Sequence, residues 1–169
     1  METLEAIRTR RSIRKFKSSP VPDELVNKLL EAAMYAPSAR DTQSWQFIVV
    51  TEKEILHKIP GIHPHANMVY EAPLAVLICG DTFLESIVEY NAVNCSAATQ
   101  NLLLAAHDFG LGGVWLGIYP RMERIKPFVQ MFGLPENIIP ISLVAVGYPD
   151  ETRDTPARFK KSRIHLNKW

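Results

Sequence analysis

The chain has 169 residues, of which 47% are hydrophobic and 22% are charged, a composition typical of one globular domain. Its formal net charge of +1 conceals an asymmetry, because residues 1–17 and 153–169 together carry +9 while residues 18–152 carry −8. Cys79 and Cys95 are the only cysteines, which excludes a disulfide framework and a four-cysteine zinc site. The first residues lack the apolar core of a signal peptide, and the longest apolar run is much shorter than the about 20 residues that a membrane-spanning helix needs. We therefore expect a soluble, cytoplasmic protein.

The first half of the sequence predicts three helices and one strand. Thr3 can cap a short helix whose apolar face holds Leu4 and Ile7. Two prolines then separate this helix from the next one. The elements predicted after that break are a helix from Asp23 to about Tyr35, a strand at Trp45–Val50 and a short helix at Glu52–Ile59.

The second half predicts three strands and two helices. They are a buried strand at Ala72–Cys79, a long helix at Glu85–Phe109, a strand at Gly113–Ile118, a helix at Arg121–Phe132 and a strand at Ile139–Val146. Two helices precede the first strand and the crossovers vary, which favours an α+β fold over a regular doubly wound sheet. The tail after Tyr148 is polar and basic, so we expect it to be disordered or docked on a partner subunit.

A glycine cluster at residues 110–117 invites a dinucleotide-binding interpretation, but two features argue against it. Trp115 stands where a third glycine belongs, and the cluster follows a helix and enters a strand, the reverse of a Rossmann fingerprint. Gly110 is explained as a helix C-cap. Gly117 lies inside the predicted strand, where a glycine often marks close approach of a ligand to the backbone.

Three other sets of reactive side chains have ordinary structural interpretations. His63 and His65 lack further metal ligands nearby, so we expect surface histidines of a loop and no metal site. Cys95 lies among small residues of the long helix and is expected to be a core thiol, not a nucleophile. A solvated helix start is expected for the carboxylates Asp81, Glu85 and Glu89.

The basic segment Arg8–Lys17 is the strongest local signal and has three interpretations. It is a solvated surface patch, a nucleic-acid contact that acts through phosphate charge, or the site of one small phosphorylated ligand. The third is favoured because the acidic middle of the chain would repel a long polyanion but tolerate one phosphate. A single phosphate is bound well by guanidinium groups together with a hydroxyl, and this segment supplies them through Arg10, Arg11, Ser12 and Arg14.

Five motifs in a fixed order make the chain similar to the nitroreductase family of flavin mononucleotide (FMN) oxidoreductases, in particular to its short members. The motifs are RRSIRKF (residues 10–16), APSARDTQSW (36–45), CSAATQN (95–101), LGGVWLG (111–117) and GYP (147–149), followed by a tail with Arg158 and Arg163-Ile164-His165. The resemblance covers nearly the whole chain.

The resemblance implies one domain over residues 1–169, an α+β sandwich with a central mixed sheet flanked by helices, and a homodimer. The flavin sites would lie at the subunit interface, and the tail, residues 148–169, would be domain-exchanged and wrap the partner subunit. FMN is the implied cofactor and NADH or NADPH the implied electron donor. No acidic or basic residue that would select the ribose of one of the two donors is evident in the sequence. The resemblance implies a small-molecule electron acceptor, and it implies no nucleic-acid or membrane partner.

The family's flavin contacts are carried over onto the matching positions of this sequence. The phosphate and ribityl chain would be held by Arg10, Arg11, Ser12, Arg14 and Arg158, with Lys160 as a further candidate. The ring would pack on Pro37, Ser38 and Ala39 from the partner subunit, with its polar edge reached by Asp41 and Gln43 and its other side against Trp115, Leu116 and Gly117. Asp41 stands where the family commonly has Asn, and an amide can donate a hydrogen bond that an ionised carboxylate cannot.

The implied activity is a ping-pong cycle in which a hydride passes from NAD(P)H to flavin N5 and then to a nitroaromatic, quinone or similar acceptor. Because the chemistry belongs to the flavin, no residue is assigned as a catalytic acid or base. Two alternatives remain open. One keeps the fold and the flavin but performs reductive dehalogenation or flavin-dependent dehydrogenation, and the other is a nucleic-acid-binding module that uses the basic ends.

Overall fold

A computed structural model describes residues 1–169 and contains five α-helices and four β-strands. The helices are α1 (Thr3–Thr9), α2 (Asp23–Met34), α3 (Lys53–Leu56), α4 (Val88–Asp108) and α5 (Met122–Phe132). The strands are β1 (Trp45–Val50), β2 (Leu74–Asp81), β3 (Gly112–Gly117) and β4 (Ile138–Gly147). All nine elements predicted from the sequence are present. None of the helices has the length and apolar content needed to cross a membrane.

The four strands form one sheet in the order β1-β2-β4-β3, and every neighbouring pair is antiparallel. The prediction of a mixed sheet was therefore wrong for these strands. The chain leaves β3 at Gly117, opposite Ser142, and α5 returns it to β4 at that same end of the sheet. A parallel pair would need a connection that crosses to the other end. The parallel contact that exists is an isolated bridge between Ser12 and Gly113.

Alternate residues of the strands face two separate cores, each built from 17 buried residues. Leu77 of β2 faces the core that α5 covers with the buried ring of Phe128. Val76, the residue before it, faces the other core, which α2 and α4 cover through Leu29 and Leu102. The sheet is thus sandwiched between helices, which confirms the α+β sandwich architecture.

The apolar face predicted for α1 is not buried. Leu4 is 63% exposed and Ile7 is 51% exposed, whereas Ala6 is the residue of this helix that is buried. The predicted cap at Thr3 is wrong, because Thr3 is the first residue of the helix and the N-cap position is Glu2, whose side chain makes no capping hydrogen bond. The helix therefore contacts the body of the chain on its small side and presents its large apolar side chains outwards.

The C-terminal tail extends from the body without regular structure beyond a short 3₁₀ turn at Lys161–Arg163. Asp150 donates its backbone N–H to the Lys15 carbonyl, and no hydrogen bond between two backbone groups joins residues 151–169 to the rest of the chain. Residues 152–169 are exposed throughout, including Phe159 and Trp169. Exposed aromatic side chains of this kind suit a segment that docks on another surface. The expected exchange of the tail onto a partner subunit stays a prediction.

Candidate functional site

The basic segment near the N-terminus lies beside the start of the edge strand β3. Ser12 forms its bridge with Gly113, and the backbone N–H of Ile13 donates to the Gly113 carbonyl over 3.1 Å. The two segments approach closely because residue 112 is glycine, where a Cβ atom would lie 2.7 Å from the Ile13 side chain. This pairing places the arginines of residues 10–14 at one corner of the sheet.

Both ends of the chain meet at this corner. Four of the five predicted phosphate ligands, Arg158 of the tail among them, share a cavity of about 420 Å³. Its full lining is Arg11, Ser12, Arg14, Arg153, Asp154, Pro156 and Arg158. Arg10 lines a neighbouring cavity of about 230 Å³, together with Arg11 and Arg153. Lys160 lines neither cavity. Of these arginines, Arg153 alone forms a salt bridge. The corner therefore carries positive charge that the chain itself leaves largely unpaired.

The electrostatics of this corner fit a bound anion. Burial, and then the positive charges of Arg11 and Arg158, lower the pKa of the Arg10 guanidinium below its ordinary value. The Nε atom of Arg11 is buried and has no acceptor within the chain, although its Nη2 donates to the carbonyl of Arg8. A buried donor without an acceptor is costly, and a phosphate oxygen would supply the acceptor while relieving the repulsion between the guanidinium groups. The residues present thus fit a phosphate monoester such as that of FMN.

Sequence reasoning missed two residues of this corner, Glu151 and Arg153. The Glu151 carboxylate accepts the backbone N–H groups of Arg14 at 2.5 Å and Lys15 at 3.2 Å, and pairs with the Arg153 guanidinium at 2.6 Å. Burial opposes ionisation of Glu151, but the Arg14 hydrogen bond and the Arg153 charge outweigh it and hold its pKa below the ordinary value. Glu151 therefore anchors the tail to the basic segment. Its only signal in the sequence was its place at the start of the basic tail.

A second group of candidates forms the loop at residues 37–43, which we call the ring loop. The Ser38 hydroxyl accepts the backbone N–H of Gln43 at 3.0 Å, and the Gln43 side-chain amide donates to the Asp41 carboxylate at 2.9 Å. Arg40, Asp41 and Gln43 have left-handed φ angles of 54°, 55° and 46°. These contacts bring Ser38, Asp41 and Gln43 together in a loop whose backbone conformation is unfavourable for most residues.

Two side chains from the region of α4 hold the ring loop, and neither role was predicted. Asn94 accepts the backbone N–H of Ala39 at 2.8 Å. Glu85 was expected at a solvated helix start, but it is 1% exposed and binds Arg40. The Arg40 guanidinium, followed by the Ile87 backbone N–H, holds the pKa of the Glu85 carboxyl below its ordinary value. The solvated interpretation was wrong because the partner of Glu85 lies 45 residues away in sequence.

The third group of candidates lies on the edge strand β3. Trp115 is 36% exposed, whereas the Leu116 side chain is buried in the core, so Leu116 can offer a ligand only its backbone. A Cβ atom at Gly117 would meet no atom within 4 Å, which means that packing within this chain does not require a glycine there. Open space beside an edge strand leaves room for a planar ligand against the backbone.

The histidines and cysteines form no metal or nucleophile site. No group of three metal-ligating side chains is present. His63 is 1% exposed, which corrects the expectation of a surface histidine, because it hydrogen-bonds the Gly117 carbonyl inside the fold. Burial raises the pKa of the Cys79 thiol to about 12 and raises that of Cys95 as well. The interpretation of Cys95 as a core thiol is confirmed.

The two groups that would face the ring lie at opposite edges of the sheet. The ring loop leads into β1 at one edge, and Trp115 and Gly117 lie on β3 at the other. Three strand spacings separate these edges, which amounts to about 14 Å. In a dimer, the ring loop of each subunit could face strand β3 of the other subunit, which would bring the two groups together at two equivalent sites. This agrees with the interface arrangement expected from the sequence.

Comparison with known proteins adds an independent result. The family model of the Nitroreductase family matches residues 7–68 and 63–148. A protein named "Putative NADH dehydrogenase/NAD(P)H nitroreductase" from Methanothermobacter thermautotrophicus is 50% identical over 169 residues, which cover 100% of this chain and 88% of that protein. A solved structure of the same name from Parabacteroides distasonis has 41% identity and a TM-score of 0.95, covering 99% of this chain and 98% of that one. The FMN-dependent nitroreductase of Clostridium difficile R20291 has 28% identity and a TM-score of 0.91, covering 99% and 100%.

Proposed function

This chain belongs to the nitroreductase family of NAD(P)H-linked flavin oxidoreductases, and we propose that it is an FMN-dependent NAD(P)H oxidoreductase that acts by a ping-pong cycle on a nitroaromatic, quinone or similar acceptor. A solved relative is described as FMN-dependent, which supports the choice of cofactor. The remaining support comes from the geometry of the candidate site.

The observation that carries the proposal is the convergence of Arg11, Ser12, Arg14 and Arg158 on one cavity. With Arg153, five positive or hydroxyl donors line this space beside a single carboxylate, Asp154, and the buried Arg11 Nε atom lacks an acceptor. Charge-assisted hydrogen bonds contribute roughly 1.5–3 kcal/mol each, so three or four of them suffice to anchor a phosphorylated cofactor.

The other candidate residues would orient the flavin ring. FMN, when bound, supplies the chemistry, since its isoalloxazine takes up a hydride from NAD(P)H and delivers it to the acceptor. One face of the flavin ring would lie against the Gly117 backbone, which carries no side chain. The other face would pack against Ser38 and Ala39 of the ring loop. Gln43 would face the polar edge of the ring, although its amide is already hydrogen-bonded to Asp41.

The proposal includes a homodimer with both flavins at the interface. It is supported by the opposite positions of the ring loop and β3 in the sheet and by the exposed apolar side chains of α1 and the tail. A single chain leaves these side chains in water. A partner subunit that covers them would stabilise the dimer by about 25 cal/mol for each Å² of apolar surface that it buries.

The absorption spectrum of the purified protein tests the cofactor assignment. We expect a yellow protein whose flavin bands persist through gel filtration and whose released flavin, after denaturation, migrates as FMN. A colourless protein that takes up no added FMN would refute the proposal. In that case, salt-dependent binding of DNA or RNA by the basic ends is the next measurement.

Steady-state kinetics test the reaction class. NADH or NADPH oxidation is followed with a panel of nitroaromatic, quinone and iodinated aromatic acceptors, and parallel double-reciprocal lines are expected for the first two classes. Turnover with iodinated compounds alone, with release of iodide, would instead favour the dehalogenating alternative. A reaction that reduces the flavin with an organic substrate and no NAD(P)H would favour a dehydrogenase.

A further inference from the structure

Glu85 is a buried carboxylate to which the proposed cycle gives no role. It lies just before α4, and its side chain has no exposed surface. Its Oε1 and Oε2 atoms lie 2.7 and 2.8 Å from Nη2 of Arg40, and Oε1 also accepts the backbone N–H of Ile87 at 3.0 Å. Removing a carboxylate from water destabilises a protein unless the charge is paired and hydrogen-bonded. The pairing with Arg40 is therefore what allows Glu85 to be buried here.

Arg40 brings to this pair a backbone in a disfavoured conformation. Its φ angle is 54°, that of Asp41 is 55° and that of Gln43 is 46°, and no glycine is present in the ring loop. Such a conformation persists only where surrounding contacts impose it. The Arg40 side chain is 63% exposed, yet it is held between the Glu85 carboxylate and the ring of Tyr90, whose centroid lies 5.8 Å from the guanidinium carbon.

Asn94 holds the ring loop and the residue after it at other points. Its Oδ1 accepts the Ala39 N–H, and its Nδ2 donates to the hydroxyls of Thr42 and Ser44 at 3.2 and 3.1 Å. None of these contacts involves Arg40, the first of the three residues with a left-handed φ angle. Glu85 is thus the side chain that fixes the ring loop at this residue.

We infer that Glu85 and Arg40 act as a positioning pair, which holds the left-handed conformations of Arg40 and the neighbouring Asp41 and Gln43 and so sets the direction of the Asp41 and Gln43 side chains. Because these two side chains are hydrogen-bonded to each other, a relaxation of the backbone moves them together. Neither member of the pair needs to touch the flavin. The effect on flavin binding rests on the proposed function, whereas the effect on the loop does not.

Site-resolved amide hydrogen exchange tests the pair directly, on purified protein with its flavin and after flavin removal. Glu85→Gln and the double variant Arg40→Gln/Glu85→Gln are compared with wild type, and the double variant leaves no unpaired buried charge. We expect the amides of Ala39, Thr42 and Gln43 to exchange at least tenfold faster while those of β2 keep their rates. The dissociation constant for added FMN should rise at least threefold in both variants, whereas Arg40→Lys, which keeps a positive charge opposite Glu85, should stay close to wild type in both readouts.

The matched control is Glu24→Gln, which breaks the exposed 2.6 Å ion pair with Lys28 in the first turns of α2 and should change neither readout. Unchanged exchange in the ring loop of the double variant would overturn the inference. Equal acceleration in the ring loop and in β2 would overturn it as well, because it would mark a general loss of stability. Faster exchange confined to the ring loop in a protein that takes up no FMN would support the pair and refute the proposed cofactor.

Discussion

The Nε2 atom of His63 lies 3.0 Å from the carbonyl oxygen of Gly117, and this hydrogen bond joins the loop after α3 to the edge strand β3. The other ring nitrogen, Nδ1, accepts the backbone N–H of His65 at 3.2 Å. These partners assign the proton to Nε2 and leave the ring neutral. Arg124 donates to the same carbonyl at 2.6 Å. A neutral histidine and a cation therefore hold the Gly117 backbone at the place where we propose that the flavin ring lies.

His63 is expected to make the folded state sensitive to mild acid. Burial lowers its pKa below the ordinary value of 6.5, and the charge of Arg124 acts in the same direction. As the pH falls below about 6.5 the unfolded chain binds the proton first, so the free energy of unfolding decreases until the pH reaches the lower folded-state pKa. In His63→Gln the amide can still donate to Gly117 but does not titrate. Urea unfolding between about pH 5 and pH 7.5 should show a weaker pH dependence in this variant than in wild type.

The dependence should weaken and not vanish, because burial and the charges of Arg10 and Arg11 also lower the pKa of His107. His165→Gln, which removes an exposed histidine of the tail, is the control and should follow the wild-type curve. If His63→Gln retains the full wild-type slope, the neutral ring is not the source of the acid sensitivity.

The elements of the fold were predictable because their signals are local. The strand Trp45–Val50 agrees with its prediction at both ends, since a continuous apolar and partly β-branched segment specifies a strand without reference to other residues. The direction of strand pairing was not local. It depends on where α5 returns the chain, and the predicted mixed sheet was wrong for that reason.

The supporting contacts of the candidate site were not predictable for the same reason. The partner of Glu85 is 45 residues away and that of His63 is 54 residues away, so both residues looked solvated in the sequence. The left-handed ring loop contains no glycine that would have signalled it. In contrast, the residues that line the basic corner were marked by their own charge, and Arg11, Ser12 and Arg14 do share a cavity with Arg158.

Arg14→Ala is expected to raise the dissociation constant for FMN at least tenfold, which is about 1.4 kcal/mol. The reason is the loss of one charge-assisted donor from the cavity that Arg14 shares with Arg11 and Arg158. Flavin fluorescence quenching on titration of the flavin-free protein measures the change. Lys17→Ala removes the same charge from an exposed position outside the cavity and should leave the affinity within twofold of wild type. Equal effects of the two variants would identify Arg14 as general surface charge.

Asp41→Asn is expected to raise the midpoint potential of the bound flavin and to tighten its binding. A carboxylate near the ring disfavours the anionic reduced form, and the amide both removes this charge and adds a donor. The partner amide of Gln43, now 2.9 Å from the carboxylate, can also reorient toward the ring. A tenfold change in the ratio of reduced to oxidised affinity corresponds to about 30 mV for a two-electron couple. Dye-equilibrated reductive titration measures the potential, with Asp23→Asn at the start of α2 as the control. Wild-type potential and affinity in Asp41→Asn would mean that this side chain does not contact the ring.

Deleting residues 153–169 is expected to weaken both the dimer and FMN binding. The deletion removes Arg153 and Arg158 from the basic cavity. It also removes the side chains of Phe159, Leu166 and Trp169, which are 82%, 83% and 101% exposed in the single chain. Sedimentation velocity over a range of protein concentrations measures the dimer, and flavin titration measures the cofactor. Arg158→Ala in the full-length chain separates the two effects, because it should weaken FMN binding while the dimer persists. An unchanged FMN affinity after the deletion would refute the role of the tail in binding the cofactor. A monomeric full-length protein would refute the docking of the tail on a second subunit. The truncated chain keeps the Glu151 hydrogen bonds to the backbone of Arg14 and Lys15 but loses the Arg153 guanidinium that pairs with Glu151, so a loss of FMN affinity beyond that of Arg158→Ala includes the loss of this pair.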